Sequence, residues 1–238
     1  MIGVKCCADR RAVRLRSRIA KTFSAFVYLA GGLLCSQLWG LELPGGFTVL
    51  ENFEQQDTHQ FPSKWRSRND DAKKIYRIES ESGNRFLRAH AANQAVQIGL
   101  EHIFDPQQQR RLTWRWRVHQ LPTGADERDG QRHDAAAQVY VVFDNQYWPR
   151  VIKYIWSASL PIGTRFANPL YSRGKVVVLR NGQSDKTKWY EEGVNFYDDY
   201  QRLFNDKPGK VQGIGVLTSS DATKSLAIAD YDDFVLLP

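Results

Sequence analysis

The chain has 238 residues, with 33 lysines and arginines against 26 acidic residues and a formal net charge of +7. The excess is local: Lys5, Arg10, Arg11, Arg14, Arg16, Arg18 and Lys21 face only Asp9 in the first forty residues, so that segment carries +6 and the remainder +1. A nucleic-acid-binding domain needs a basic face of its own, so the near-neutral remainder argues against a nucleic-acid partner.

After Lys21 comes an apolar run, Thr22 to Leu34. A basic stretch followed by such a run is the order of a secretory signal peptide. Continued through Cys35, Leu38, Trp39 and Leu41, it nearly reaches the roughly 20 residues of a spanning helix. Residues 1–41 therefore read as a signal peptide or an N-terminal anchor. The expected location is exported and periplasmic, or else tethered to the inner membrane through this segment alone. Cys6, Cys7 and Cys35 all lie within it. The expected domain, residues 42–238, thus has no disulfide framework and no thiolate metal site. Its stability has to come from core burial.

That domain is a succession of short β-type runs separated by turn signals. Strands are predicted at Phe47–Phe53, Ile75–Ile78, Phe86–Ala89, Ala95–Phe104, Leu112–Val118, Ala135–Phe143, Val151–Trp156, Lys175–Leu179, Val211–Leu217 and Leu226–Leu237. Ser82-Gly83-Asn84 has the chemistry of a hairpin turn. One helix is predicted around Tyr197 to Phe204, where Tyr200, Leu203 and Phe204 share a face. Strands without helical crossovers predict an all-β, antiparallel β-sandwich, jelly-roll-like and resembling carbohydrate-binding domains, with one short helix.

Alternation assigns faces within a strand. Leu112, Trp114, Trp116 and Val118 point one way, and Thr113, Arg115 and Arg117 the other. Asp134, Gln138 and Tyr140 share a face of the next strand, and Tyr154 and Trp156 share a face of the one after. The expectation is one sheet surface carrying Arg115, Arg117, Asp134, Gln138, Tyr140, Tyr154 and Trp156, with Arg180 nearby. Aromatic rings stack on pyranose faces while planar polar groups fork to hydroxyls or carboxylates. Such a surface would bind a glycan or another envelope polymer. The alternative is that these aromatic rings fill the core and the arginines pair with carboxylates.

A distinctive order of residues runs through the second half. His133-Asp134-Ala-Ala-Ala-Gln138 is followed by Tyr154-Ile155-Trp156-Ser157, Leu160-Pro161-Ile-Gly163, Trp189-Tyr190-Glu191-Glu192 and Asp199-Tyr200-Gln-Arg202-Leu203-Phe204. Gly213-Ile-Gly-Val216, Ser220-Asp221-Ala-Thr223 and Ala229-Asp230-Tyr231-Asp232-Asp233-Phe234 complete it. Together, over roughly Glu51 to Leu236, this resembles the bacterial domain-of-unknown-function 3047 family of exported proteins. The resemblance implies a sandwich-like β domain and brings no assigned activity. Two positions depart from the family pattern. Thr218-Ser219-Ser220-Asp221 has one acidic residue fewer than the pattern, and Gln138 stands where arginine is expected.

A glycosidase needs two facing carboxyls; Asp126, Glu127, Asp129 and Asp134 are close in sequence, but the polar, glycine-punctuated stretch from Thr123 to Arg132 reads as a solvated loop. A lyase would want a Tyr or His base beside an arginine; Tyr154, His133, Arg150 and Arg180 could supply these, but no spacing demands it. The five histidines form no paired-ligand motif, which argues against zinc. Oxygen ligands suit calcium, and Asp221 and Asp230 are the candidate ligands for a structural calcium ion. No catalytic residue is assigned. The leading expectation is a non-catalytic binding or accessory domain for a glycan or envelope polymer. The alternatives are a polysaccharide hydrolase or lyase, and a structural envelope protein.

Overall fold

A computed structural model describes residues 46–144 and 148–238. The expected signal peptide or anchor at residues 1–41 lies outside the described residues. Among those described, no helix is long and apolar enough to cross a membrane.

The described residues form two sheets. The first contains β1 (Thr48–Glu51), β3 (Tyr76–Glu81), β4 (Asn84–Ala92), β6 (Arg111–Gln120), β11 (Tyr190–Asn195) and β13 (Leu226–Leu237). Its order is β11-β6-β13-β4-β3. The long β13 pairs with β6 along one edge; along the other it pairs with β4 and then, through Phe234 to Leu236, with β1. The second sheet contains β2 (Arg66–Ser67), β5 (Ile98–Phe104), β7 (Ala137–Phe143), β8 (Arg150–Trp156), β9 (Arg165–Ala167), β10 (Gly174–Arg180) and β12 (Val211–Leu217), in the order β2-β5-β12-β7-β8-β10-β9. The predicted antiparallel sandwich is the observed fold, with one difference: β8 and β10 run parallel. The short β9 between them lets the chain return in the same direction, pairing antiparallel with β10.

Local chemistry explains the connections. Ser82 and Gly83 both have positive φ, 54° and 86°, as the tight turn joining β3 to β4 requires. Gly213 sits at a register shift in β12, where an added Cβ would lie 2.3 Å from the Leu100 carbonyl oxygen. The predicted helix is α2 (Phe196–Phe204), capped by Asn195, whose side chain accepts the Asp198 amide at 3.0 Å. A second, shorter helix is α1 (Ala72–Ile75).

Between the sheets lies an aromatic core. Leu112, Trp114, Trp116 and Val118 all point inward from β6 and are fully buried. Trp114 meets Trp116 and Tyr154, and Trp116 meets Trp156, at ring separations of 5.3 to 5.9 Å. Burial of each large side chain contributes about 1.5–3 kcal/mol.

Candidate ligand-binding groove

The structure does not gather the predicted ligand face onto one surface. Tyr154 and Trp156 lie in the core, completely buried. The Tyr154 hydroxyl donates to Asp199 Oδ2 at 2.9 Å, and the Trp156 indole donates to the Asn181 carbonyl at 3.0 Å. The pairing of β7 with β8 explains this: Val139 stands opposite Tyr154 and Tyr140 opposite Lys153. Gln138 and Tyr140 thus face outward, on the opposite side of the second sheet from Tyr154 and Trp156. The shared-face expectation is corrected accordingly.

Arg115 and Arg117 lie on the outer face of the first sheet, the far side of the sandwich from Gln138. There Asp230, fully buried, receives both forks of Arg88 at 2.8 Å, Arg117 Nε at 2.6 Å and His119 Nε2 at 2.7 Å. Although burial alone would raise it, these hydrogen bonds hold its carboxyl below the usual range. Asp232 accepts from Arg115 and Asn84, yet burial pushes its carboxyl up to about 6. Arg117 also pairs with Glu81 and lies 4.6 Å over the Trp189 ring. This surface is an internally compensated lattice of charges. Asp230, an expected calcium ligand, has its oxygens taken up by these cations. Arg180 is elsewhere again: it bridges the sheets by donating to Glu192 Oε1 at 2.6 Å, the oxygen that also accepts the Trp116 indole.

An open concavity lies instead on the outer face of the second sheet. Strand pairing places Arg66, Gly99, Gly215, Tyr140, Lys153 and Val176 in one row across β2, β5, β12, β7, β8 and β10. Gly99 and Gly215 add no side chains to that row, and the Gln97 side chain lies against Gly215. Over the β12, β7 and β8 part the row opens into a groove of about 540 Å³, lined by Gln97, Tyr140, Val151, Lys153, Asn168 and Leu217, with Arg68, His133, Trp148, Leu170 and Tyr171 around it. Trp148 and Leu170 are each 60 % exposed. Among the described residues, the lining contains no aspartate or glutamate.

Lys153 is the distinctive group. Burial pushes its ammonium down to about 8. Its contacts are Gln138 Oε1 at 3.5 Å and the Tyr140 ring at 4.9 Å, with no ion pair among the described residues. Beneath the groove, Lys153, His133, Gln138 and Asn168 border a pit of about 10 Å³ together with Glu127. Glu127 departs from its expected place in a solvated loop. It is 4 % exposed, its carboxyl is raised by burial, and it accepts from the Ser157 hydroxyl at 2.6 Å and the Ala158 amide at 2.8 Å. Neither Lys153 nor Trp148 stood out in the sequence; a lysine within an otherwise apolar strand was the available signal.

Asp134 precedes β7 and is fully buried, with Oδ2 accepting both the amide and the hydroxyl of Thr223 at 2.7 Å. Asp221 joins it and His133 in one cluster, without Asp230.

No curated protein matches the chain. Among solved structures it is similar to a carbohydrate-binding module of the β-sandwich superfamily, at 16 % identity and TM-score 0.39; the match covers 82 % of this chain and 64 % of that one, less than two thirds of its length. A thermostable cellulase derived from that of Rhodothermus marinus is 14 % identical, with 73 % and 96 % covered and TM-score 0.39. A xylan-binding domain from Paenibacillus barcinonensis is 13 % identical, with 82 % and 97 % covered and TM-score 0.34. Residues 63–235, which include every residue lining the groove, match the family described as protein of unknown function (DUF3047), and the chain belongs to that family.

Proposed function

We propose that this protein is an exported, non-catalytic binding domain whose groove holds an acidic polysaccharide of the cell envelope. The observation that carries the reading is Lys153, a desolvated ammonium that makes no ion pair among the described residues, in an open groove whose described lining residues include no carboxylate. An anionic sugar would supply the missing counter-charge and a charge-assisted hydrogen bond. Trp148 and Tyr171, whose rings meet at 6.3 Å, offer aromatic surface at the rim, and Gln97 and Asn168 offer amides for hydroxyls. Export is supported by the basic and apolar order of residues 1–41. The described lining residues offer no facing pair of carboxyls for glycoside hydrolysis, which favours binding.

Calorimetric titration with a uronate-containing polysaccharide and its carboxyl-reduced counterpart tests this. The expected result is binding of the acidic polymer, at least tenfold weaker binding of the reduced one, and weakened binding in Trp148→Ala. Equal affinity for both polymers, or no binding across acidic glycans, would overturn the reading.

A further inference from the structure

Beside the groove, two buried carboxylate oxygens have no hydrogen-bond partner among the described residues: Asp134 Oδ1 and Asp221 Oδ1. Unpaired buried acceptors are costly, and two carboxylates close together repel as well. One ligand atom each of His133, Asp134 and Asp221 lies within 4.8 Å of the other two. We propose that His133, Asp134 and Asp221 bind a divalent transition-metal ion that accepts mixed nitrogen and oxygen ligands.

The surroundings hold these groups as metal ligands are held. The His133 Nδ1 lies 3.0 Å from the Gly130 carbonyl, which can only accept, so Nδ1 carries the proton. In the neutral ring Nε2 then keeps its lone pair for a cation. Asp134 is fixed through its other oxygen by two hydrogen bonds from Thr223, whose hydroxyl also meets Ser225 Oγ at 2.7 Å. The free oxygen of Asp134 is thereby oriented without being used. Ligands about 2.1 Å from one ion stand roughly 3–4.2 Å apart, so small side-chain adjustments close this cluster on a cation. Two carboxylates would neutralise a divalent charge.

The imidazole decides the class of ion. Calcium and magnesium take oxygen ligands, whereas zinc, manganese and iron accept imidazole with carboxylate. The site therefore differs from the structural calcium site expected from Asp221 and Asp230. Three protein ligands leave a coordination position open, and His133 also borders the groove. The assignment does not depend on what the groove binds.

Manganese is the probe, because Cys6, Cys7 and Cys35 in the full chain would compete for zinc. EDTA-treated full-length protein is titrated with Mn²⁺ and free ion is followed by electron paramagnetic resonance. The expected result is one Mn²⁺ per chain, with affinity lowered at least tenfold in His133→Ala and in the isosteric Asp221→Asn, and unchanged in His90→Ala. Circular dichroism establishes that each variant is folded. Metal should also raise the thermal midpoint of the unaltered protein and leave that of Asp221→Asn unmoved. Absence of stoichiometric uptake, or uptake unaffected by both ligand substitutions, would overturn the site. Calcium binding that needs Asp221 and not His133 would overturn the mixed-ligand assignment.

Discussion

Replacing Lys153 by methionine is expected to move stability and binding in opposite directions. Burial lowers the Lys153 ammonium from its ordinary 10.5 to about 8. At 1.36 kcal/mol per pH unit this is about 3 kcal/mol against the charged form, and partial exposure of the side chain screens it to about 1–2 kcal/mol. Because the folded value is the lower one, the unfolded chain holds this proton more tightly. Stability therefore rises with pH between about 8 and 10.5, and at pH 7 the charged group destabilises the fold. Methionine keeps the apolar stem against Tyr140 and loses only the weak Gln138 hydrogen bond and a cation–π contact of about 0.5–1 kcal/mol. The net expectation at pH 7 is a gain of about 1 kcal/mol in urea denaturation, with the gain gone by pH 10. A charge-assisted hydrogen bond contributes about 1.5–3 kcal/mol, so affinity for an acidic polysaccharide should fall about 10- to 100-fold in calorimetric titration. A variant that is less stable yet binds equally well would refute this reasoning and make Lys153 a structural residue.

Trp156→Ala should cost about 3–5 kcal/mol in denaturant unfolding, since it empties the core beside Trp116, whereas Trp148→Ala should leave stability within about 0.5 kcal/mol. Asp230→Asn should cost about 3 kcal/mol, because Arg88 and Arg117 lose their shared anion; chemical denaturation measures it. Asp232, raised by burial to about 6 from 3.8, contributes stability that is full below about 3.8 and is lost as pH rises through 6. Asp232→Asn should remove that decline, so that thermal midpoints of variant and unaltered protein diverge upward from pH 4 to pH 7.

Strands were legible wherever polar and apolar residues alternate. In β6 the tryptophans and arginines separate cleanly, and its inward face follows from the sequence alone. In β8 both faces are mostly apolar, with Val151 and Ile155 on one and Ile152, Tyr154 and Trp156 on the other. Alternation then says which residues share a face but not which face is the core. That choice is made by pairing with β7, a long-range register, and the wrong choice exchanges Lys153 for Tyr154. Alternation does not reveal β2, β9 and β11: two are very short, and Tyr190-Glu-Glu-Gly-Val-Asn reads as polar. The cluster of His133, Asp134 and Asp221 has no local spacing, because Asp221 comes from the distant turn after β12.

The place of β13 bears on how the chain reaches its fold. Among the described strands, this one is synthesised last, yet it lies between β6 and β4 and also holds β1. Until residues 226–237 emerge, β4 and β6 lack their common partner, and the pairs β3-β4 and β6-β11 are not joined into one sheet. Non-local pairing of this kind delays folding. The inner face of β6, which carries Trp114 and Trp116, is therefore complete only once β13 has paired beside it.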